Sequence, residues 1–232
     1  MGKTFDVQFM LSTVPEIIKF LPITLFLSIT SFAIGVVIGS GVALIRYFDI
    51  KIASKLCKVY ISFIRGTPAL VQLLLVYYGL PIFLNAINSR FGTNISVNAV
   101  PRLVFAVIAL SLNSGAYMSE IIRSALLSVD KGQMEACHSV NMSTWTALRR
   151  VILPQTFVVA LPPLGNNFIS MLKETSLVFS ISVVDIMAQA KITSSRSFRF
   201  FETYIVVSII YWCCCILIEQ VLTKIELRLN KF

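Results

Sequence analysis

Long apolar segments separated by short polar stretches dominate the sequence and predict membrane-spanning helices. Five such segments lie at about 20–45, 59–84, 101–127, 154–172 and 203–223. Each is about as long as, or longer than, the roughly 20 residues that an apolar helix needs to cross the hydrocarbon core of a bilayer. The pattern therefore predicts an all-α, polytopic membrane protein with about five transmembrane helices, folded as a single domain over residues 1–232.

A shorter apolar segment, at about 176–190, follows the fourth span directly. It is too short to cross the bilayer, and it contains Asp185 together with several serines. Irregular backbone at membrane depth is tolerated only inside the protein or beside a water-filled path. We therefore expect a re-entrant or interfacial segment in which Asp185 caps a turn; contact with a solute is the alternative role for this carboxylate.

Two of the predicted spans contain residues that disturb a regular helix. In the second span, the segment 65–68 (RGTP) predicts a kink, because proline removes one helix hydrogen bond. Gln72 follows one turn later and is a candidate to face a transport path, whereas Arg65 is expected to be structural. In the fourth span, Asn166 and Asn167 come after two prolines, and they either satisfy freed backbone groups or line a path.

The amino-acid composition agrees with a membrane protein and argues against most soluble classes. Hydrophobic residues make up 56% of the chain and charged residues only 13%, against about 25% charged residues in soluble domains. The formal net charge is +9, which in a soluble protein would suggest nucleic-acid binding. Here the basic residues cluster at the ends of apolar segments, where lipid headgroups lie, and they are expected to fix the orientation of the spans.

The distribution of lysine and arginine predicts that orientation, because positive residues are enriched on the cytoplasmic side of membrane proteins. With five spans, the flanks on one side hold Arg46, Lys51, Lys55, Lys58, Arg123, Lys131, Arg149, Arg150, Lys224, Arg228 and Lys231. The flanks on the other side hold the smaller set Lys3, Lys19, Arg90, Arg102, Lys191, Arg196 and Arg199. We therefore expect the N-terminus outside, the C-terminus in the cytoplasm, and residues 134–154 in the cytoplasm.

No grouping of side chains in the sequence indicates catalysis. The five cysteines include no CxxC pair and no Cys/His spacing typical of a metal site. The sequence also has no Ser/His/Asp grouping and no nucleotide-binding fingerprint. We therefore expect a protein that binds and releases a solute, with no metal and no cofactor of its own, rather than an enzyme.

The polar segment 134–154 stands between the third and fourth spans and predicts two short helices. Asn141 can end the first of them, because asparagine tolerates the left-handed conformation found at helix ends. Ser143 is a suitable N-cap for the second helix, and Pro154 either ends that helix or opens the next span. One face of the second helix carries Trp145, Leu148 and Ile152. The segment predicts either a docking element for a partner protein or an amphipathic loop on the lipid headgroups.

The order of residues in this segment resembles the E-A-A…G…I-x-L-P loop of bacterial ABC importer permeases. The segments 135–137 (EAC) and 152–154 (ILP) stand at the corresponding places; Cys137 replaces the second alanine and Asn141 replaces the glycine. Three further segments resemble signatures of the polar amino acid permeases, the group similar to histidine, glutamine and cystine importers: 63–81, 109–126 and 171–186. By this resemblance, which covers about 20–223, the chain is identified as a member of that family.

The resemblance implies the transmembrane domain of a type I ABC importer in a bacterial cell membrane. It implies that residues 134–154 form the coupling loop, which docks on a cytoplasmic ATPase subunit that binds the ATP. An extracellular or periplasmic solute-binding protein would deliver a polar L-amino acid. The permease would pair with a second permease subunit, either identical or related. The coupling residues implied are Glu135, Ala136, Asn141, Leu153 and Pro154.

Polar residues in and after two spans are candidates for solute contacts, because polar groups at membrane depth are costly and need a reason. On the third span, Asn113, Tyr117 and Glu120 share one helical face. After the fourth span, the segment 173–176 (KETS) interrupts the apolar sequence, and a broken helix exposes backbone groups to a ligand. The alternatives are an ion pair between Glu120 and Arg123 and an ordinary polar turn. The predicted contacts are Asn113, Gly115, Tyr117, Glu120, Lys173, Glu174, Thr175 and Ser176.

An amino acid needs hydrogen-bond acceptors for its ammonium group and donors for its carboxylate. We expect Glu120 and Glu174 to bind amino groups, and Asn113 together with 173–176 to bind the carboxylate. Residues 173–191 look most like those of cystine-type importers, which makes cystine the first candidate substrate. An ion-gradient-driven secondary amino acid transporter is the alternative function, because it would also explain charged residues within spans.

Overall fold

The computed structural model describes residues 5–93 and 100–229, and every regular element within these ranges is helical. Four helices are long and apolar enough to cross a membrane, and a bent pair of helical segments makes a fifth when it is taken as one span. The predicted all-α, polytopic fold with about five spans is therefore confirmed. The helices are α1 (Val7–Ile18), α2 (Leu21–Tyr47), α3 (Lys51–Gly66), α4 (Ala69–Phe91), α5 (Arg102–Ser128), α6 (Lys131–Ser139), α7 (Thr144–Ala147), α8 (Leu153–Glu174), α9 (Ile186–Ser197) and α10 (Phe200–Leu229).

The bent pair combines the predicted fourth span with the predicted re-entrant segment. A π-helical turn, Leu148–Ile152, joins α7 to α8, and a 3-10 segment, Thr175–Ile181, extends α8 towards the bend. The two halves of the pair meet at an angle of 53°. At the bend, the fully buried carboxylate of Asp185 accepts a hydrogen bond from the backbone N of Ala188 at 2.8 Å and so caps α9. The prediction that Asp185 caps a turn is confirmed.

The predicted second span, 59–84, is wrong in its boundaries, because the chain forms two helices there. α3 ends directly before Thr67 and α4 begins directly after Pro68. Thr67 is extended, with φ −124° and ψ 148°, because a residue that precedes a proline disfavours the helical conformation. The predicted kink is therefore a full break, and the two helices extend beyond both ends of the predicted span.

An amphipathic helix, α1, precedes the first span and adds to the predicted elements. Asp6 caps α1 by accepting a hydrogen bond from the backbone N of Phe9 at 3.0 Å, and its carboxylate also pairs with Arg199 at 2.6 Å. Farther along α1, Glu16 accepts a hydrogen bond from Gln189 of α9 at 2.7 Å. The apolar face of α1 packs through buried Ile17 against Ile186, Ala190, Val206, Val207 and Ile210. Helix α1 thus packs against both α9 and α10.

Helix α5 lies at the centre of the bundle, in contact with α2, α3, α4 and α8. The approach of α2 is close because two of its glycines face α5. A Cβ atom at Gly39 would lie 2.8 Å from Cβ of Met118, and one at Gly35 would lie 3.0 Å from Cβ of Ser114. A Cβ atom at Gly41 would meet no atom within 4 Å. Small residues on one face of α2 therefore permit direct backbone packing, as is common between membrane helices.

The polar segment 134–154 forms α6 and α7 with the predicted turn between them. Asn141 adopts the left-handed conformation with φ +62°, and the hydroxyl of Ser143 caps α7 by accepting from the backbone N of Thr146 at 3.3 Å. The second helix is not short, however. It continues without a break through the π-helical turn into α8, so Pro154 lies inside a continuous helix, directly after that turn and at the start of α8.

Only part of the predicted apolar face of this second helix is buried. Leu148 and Ile152 are buried and pack against Leu126 near the end of α5, so they fasten the polar segment to the bundle. Trp145 is 65% exposed, and Val140 at the end of α6 is 70% exposed. Two large apolar side chains thus protrude from a polar surface at this end of the molecule.

Candidate functional site

A polar cavity of about 200 Å³, here called the central cavity, lies between α5 and α8. Its walls consist of Asn113, Ser114 and Tyr117 from α5 and Asn167, Ser170, Met171 and Glu174 from α8. Most small-molecule sites are lined mainly by apolar side chains with a few polar groups. The predominance of amide, hydroxyl and carboxylate groups in this cavity therefore favours a small polar solute.

Helical periodicity explains how the sequence builds both walls. On α5, Asn113 and Tyr117 are one turn apart and share a face. On α8, the lining residues precede Glu174 by three, four and seven positions, which places them on one face of that helix. The sequence analysis identified Asn113 and Tyr117 on one wall and Glu174 on the other, but its predicted contacts did not include Ser114, Ser170 and Met171. Residues three, four and seven positions before Glu174 lie on the same helical face, and this spacing would have identified the α8 lining residues from the sequence.

The buried side chain of Gln72 fixes the orientation of Asn113. The Nε2 group of Gln72 donates to the backbone O atoms of Ile64 at 2.7 Å and Thr67 at 2.9 Å, which lie beside the break between α3 and α4. A carbonyl oxygen only accepts hydrogen bonds, so these contacts identify Nε2 and leave Oε1 of Gln72 facing α5. Oε1 accepts from Nδ2 of Asn113 at 2.9 Å. Because the N–H group of Asn113 is bonded to Gln72, the oxygen of the Asn113 amide remains available to accept a hydrogen bond in the cavity.

The second amide of the central cavity has the opposite polarity. The hydroxyl of Ser114 donates to Oδ1 of Asn167 at 3.1 Å and so links α5 to α8. This contact occupies the oxygen of the Asn167 amide and leaves its Nδ2 group available as a donor. Of the two roles left open for Asn167, lining a path is the one that its position in the cavity wall fits. Asn166 is exposed and lies outside the lining of this cavity.

Among the described residues that line the central cavity, Glu174 is the single acidic or basic one. It lies at the end of α8, directly before the 3-10 segment. Across the cavity, Tyr117 is 37% exposed, and the guanidinium group of Arg65 lies 5.7 Å from the centroid of its ring. The cavity therefore offers one carboxylate, one amide oxygen and one amide N–H group to a bound solute.

Glu120 lies on the same helix but outside the central cavity, with its carboxylate already occupied. Arg46 near the end of α2 donates a short hydrogen bond to Glu120, and the Nε atom of Arg123 lies 3.7 Å from its second oxygen. The ion pair with Arg123, which was the structural alternative in the sequence, is therefore present and includes a second arginine. This cluster joins α2 to α5.

The structure does not bring the remaining predicted contact residues to the central cavity. Gly115 faces α2, where an added Cβ would lie 2.8 Å from a methyl group of Ile38. The buried hydroxyl of Thr175 donates to the backbone O of Leu172 at 2.8 Å. Lys173 and Ser176 line a separate cavity of about 610 Å³ between α8 and α10. In this chain, the predicted contacts that come together are Asn113, Tyr117 and Glu174.

The predicted coupling residues lie at the end of the bundle where α2 and α5 finish. Glu135, Ala136 and Asn141 are exposed. Leu153 packs against the cluster of Leu148, while Pro154 is exposed. A cavity of about 310 Å³ beside α6 is lined by Glu135 together with residues of α2 and α5. This end of the molecule therefore presents an accessible surface built from α6, α7 and the turn between them.

The amino-acid sequence matches a known family along most of its length. The model of the family described as "Binding-protein-dependent transport system inner membrane component" matches residues 35–231. This match includes both walls of the central cavity and the whole polar segment.

Individual proteins are similar to the chain over nearly its full length. The "Probable amino-acid permease protein YxeN" of Bacillus subtilis (strain 168) is 43% identical over 98% of this chain and 97% of that protein. The "L-cystine transport system permease protein TcyL" of the same organism is 40% identical over 100% of this chain and 94% of that protein. A solved structure described as an amino acid ABC transporter with histidines is 39% identical, with a TM-score of 0.82, and covers 97% of this chain and 100% of its own.

Proposed function

The chain belongs to the family of binding-protein-dependent transport system inner membrane components, and we propose that it carries a polar L-amino acid, with cystine as the first candidate. It is the permease subunit of an ABC amino-acid importer and is not itself an enzyme. The observation that carries the proposal is the central cavity, whose lining combines one carboxylate with two amides of opposite polarity. The family places the energy source in a partner subunit, which removes the need for the ion-driven alternative.

The central cavity fits the two charged groups of an amino acid. Glu174 and the amide oxygen of Asn113 accept hydrogen bonds and suit an ammonium group. The Nδ2 group of Asn167 and the hydroxyl of Ser170 donate, and they suit a carboxylate. This proposal moves Asn113 from the carboxylate side, where the sequence pattern put it, to the ammonium side, because Gln72 already accepts from its N–H group.

Cystine is the first candidate because of one relative and one feature of the lining. The L-cystine permease TcyL is 40% identical to this chain over its full length. No basic residue is among the described residues that line the central cavity, so this lining has no group that would select an acidic side chain. A cavity with one carboxylate and no basic residue among its described lining residues fits one zwitterionic amino acid group, whose ammonium group pairs with Glu174. Cystine has two amino acid groups, and one of them would occupy the cavity contributed by one chain.

We propose that the exposed surface of α6 and α7 docks on the ATPase subunit. Trp145 and Val140 are large, exposed apolar side chains on an otherwise polar surface, which is typical of interface anchors. The docking side is the cytoplasm, so the N-terminus lies outside the cell and the C-terminus inside. Glu135, Ala136 and Asn141 contribute to this surface, while Leu153 and Pro154 connect it to α8. A second copy of the permease completes the assembly.

The continuity of α7 with α8 supplies a mechanism for energy transfer. A force applied at Trp145 acts on the start of one continuous helical unit, which carries Asn167 and Glu174 farther along. The contact of Leu148 with Leu126 passes the same movement to α5, which carries Asn113. Movement of the ATPase would therefore displace both walls of the central cavity, and alternating access requires such a displacement.

Reconstituted transport tests the proposed function directly. Proteoliposomes containing the permease and its ATPase, with ATP inside and the binding protein outside on the side of delivery, are supplied with radiolabelled L-cystine. We expect uptake that requires ATP and persists when ion gradients are collapsed. Uptake that survives ATP depletion and stops with the ion gradient would contradict the ABC mechanism. Uptake of another amino acid in place of cystine would reject the substrate and retain the mechanism.

A further inference from the structure

Helix α3 carries two different exposed faces. Each face is a single row of side chains that runs along the helix. The basic face consists of Lys51, Lys55, Lys58, Ser62 and Arg65, and all five are exposed. The apolar face consists of Ile52, Leu56, Val59 and Phe63, which are also exposed. Both follow alternating spacings of four and three residues, and α3 contains no acidic residue. A lipid-facing helix would need only the apolar face, so the basic face requires a separate explanation.

We propose that the basic face of α3 lines a water-filled route along which a carboxylate-bearing solute leaves the central cavity towards the end of the bundle that bears α6. The proposal rests on the proposed function, because it assumes that the central cavity holds an amino acid. It assigns a role to residues that neither the cavity nor the docking surface uses. The argument depends on the depth of the basic face, on its lack of ionic partners and on its connection to the cavity.

Contacts with α5 establish the depth of the basic face. Ile61 and Ile64 of α3 pack against Ala116, which is the fifteenth of the 27 residues of α5. Arg65 therefore lies level with the middle of α5. Lys58 is six residues from Ile64, or roughly 9 Å along the helix axis. Half of the hydrocarbon core is about 15 Å thick, so Lys58 and Arg65 both lie at hydrocarbon depth.

Charges at that depth are costly unless they are paired or face water. In the part of the chain that the structure describes, no basic residue of this face forms an ion pair with a carboxylate. The arginines that do form ion pairs in the described residues are Arg46 of α2, Arg123 of α5 and Arg199, which directly precedes α10. The basic face therefore needs either water or an anionic ligand beside it, and a route that holds water satisfies both requirements.

The basic face connects the central cavity to the docking end of the molecule. At one end, the guanidinium group of Arg65 lies 5.7 Å from the ring centroid of Tyr117, which forms part of the cavity wall. At the other end, Lys51 follows the turn after α2, and Tyr47 in the last turn of α2 packs beside α6 residues. The positive residues between these ends favour the passage of a carboxylate, whereas Glu174 retains the ammonium group in the cavity.

A competing explanation is that the basic side chains extend along the lipid surface to anionic headgroups. This explanation fits Lys51 and Lys55, which lie near the end of the bundle. It does not explain Arg65, whose position at the middle of α5 is beyond the reach of a headgroup and whose guanidinium group faces Tyr117. Ser62 also continues the basic face without any charge, as a water-facing position allows.

Cysteine accessibility distinguishes these explanations, because neighbouring residues of α3 face different surroundings. In a full-length permease whose five native cysteines are replaced and which is coexpressed with its ATPase, single cysteines replace Ser62 or Phe63 in one pair and Lys58 or Val59 in another. The probe is negatively charged methanethiosulfonate ethylsulfonate, which does not cross membranes, added to inside-out vesicles. Only a thiolate in contact with water reacts with this reagent.

We expect Ser62→Cys and Lys58→Cys to react at least about tenfold faster than Phe63→Cys and Val59→Cys, respectively. Equal rates within the pairs would overturn the proposal. Reaction restricted to Lys51→Cys and Lys55→Cys would also overturn it and would favour contact with headgroups. Because Ser62→Cys and Phe63→Cys leave the charge of the helix unchanged, this pair is the decisive comparison.

Transport provides a second measurement. Lys58→Gln and Arg65→Gln should lower the maximal rate of uptake of radiolabelled L-cystine about threefold or more, since a basic path raises the local concentration of an anionic group. The matched control is Lys224→Gln on the exposed end of α10, which should leave uptake unchanged. Unchanged uptake in both α3 variants would overturn the role in release. If the unsubstituted permease fails to transport any amino acid, the proposed function fails, whereas the accessibility pattern still decides whether the route holds water.

Discussion

Asn113 donates its Nδ2–H group to Oε1 of Gln72 at 2.9 Å, and this hydrogen bond joins the wall of the central cavity to the break between α3 and α4. Both side chains are almost completely buried, at 5% and 4% exposure, so water does not compete for the bond. Gln72 can hold this orientation because the break frees two backbone carbonyls for its Nε2 group. An irregularity in one span therefore determines the polarity of a residue on another.

Gln72→Met should impair both stability and substrate binding. Methionine keeps the approximate size of the side chain but leaves the carbonyl groups of Ile64 and Thr67 without a donor, at a cost of about 1–3 kcal/mol for each buried group. The Asn113 amide also loses the partner that orients it. We expect a lower Tm of the permease–ATPase complex and a higher KM for uptake. Gln220→Met, at an exposed position on α10, is the control that should change neither quantity.

Glu174→Gln should reduce uptake by at least about tenfold while the complex still assembles, because an ammonium ion in the central cavity loses the one charged partner that the described lining offers it. The amide has nearly the same shape, so the Tm should change little. Radiolabelled uptake and copurification of the ATPase measure the two effects. Uptake at the unsubstituted rate would remove Glu174 from the proposed binding site.

Glu120→Gln should mainly destabilise the protein. The substitution leaves Arg46, which is only 13% exposed, without its carboxylate partner. The cost should be less than the roughly 3–5 kcal/mol of a fully buried pair, because Glu120 is 27% exposed. A clear drop in Tm with an unchanged KM of the remaining transport would support a structural role. A raised KM with an unchanged Tm would instead support the sequence-based prediction that Glu120 contacts the substrate.

Two glycines of α2 should respond in opposite ways to the same substitution. Gly39→Ala places a Cβ atom 2.8 Å from Cβ of Met118, and overpacking of this kind costs about 1–3 kcal/mol. Gly41→Ala meets open space and should stabilise the helix by about 0.5–1 kcal/mol. Thermal unfolding of the two variants in detergent checks the prediction. A similar Tm for both would mean that α2 and α5 are not in close contact.

Trp145→Ala should weaken the binding of the ATPase without changing the fold of the permease. The side chain is 65% exposed on the proposed docking surface, and large exposed aromatic residues are frequent anchors of interfaces. We expect less ATPase to copurify with this variant at equal permease expression. The matched control is Trp212→Ala on α10, where the tryptophan is 66% exposed but far along the chain from α6 and α7. Equal losses of ATPase from both variants would contradict a specific docking surface.

The sequence was sufficient for properties that depend on local periodicity and composition. The length of the apolar segments predicted the number of spans, although not the break within 59–84, because a helix must satisfy its backbone hydrogen bonds across the whole membrane. Local chemistry also predicted the left-handed turn at Asn141 and the caps at Ser143 and Asp185, since these conformations depend on neighbouring residues. The helical spacing of Asn113 and Tyr117 placed both residues on one face of α5.

Contacts between distant segments could not be predicted from the sequence, because the periodicity of one helix does not reveal which face of another helix lies opposite. The spacing on α5 grouped Glu120 with Asn113, but the arginine of α2 that occupies its carboxylate is 74 residues away. The segment 173–176 was treated as one binding element, although only Glu174 faces the central cavity. The sequence by itself determined a membrane-spanning helical protein with an exposed polar segment. Tertiary packing decided which polar atoms face the solute, because the other ends of the same side chains were already hydrogen-bonded to remote parts of the chain.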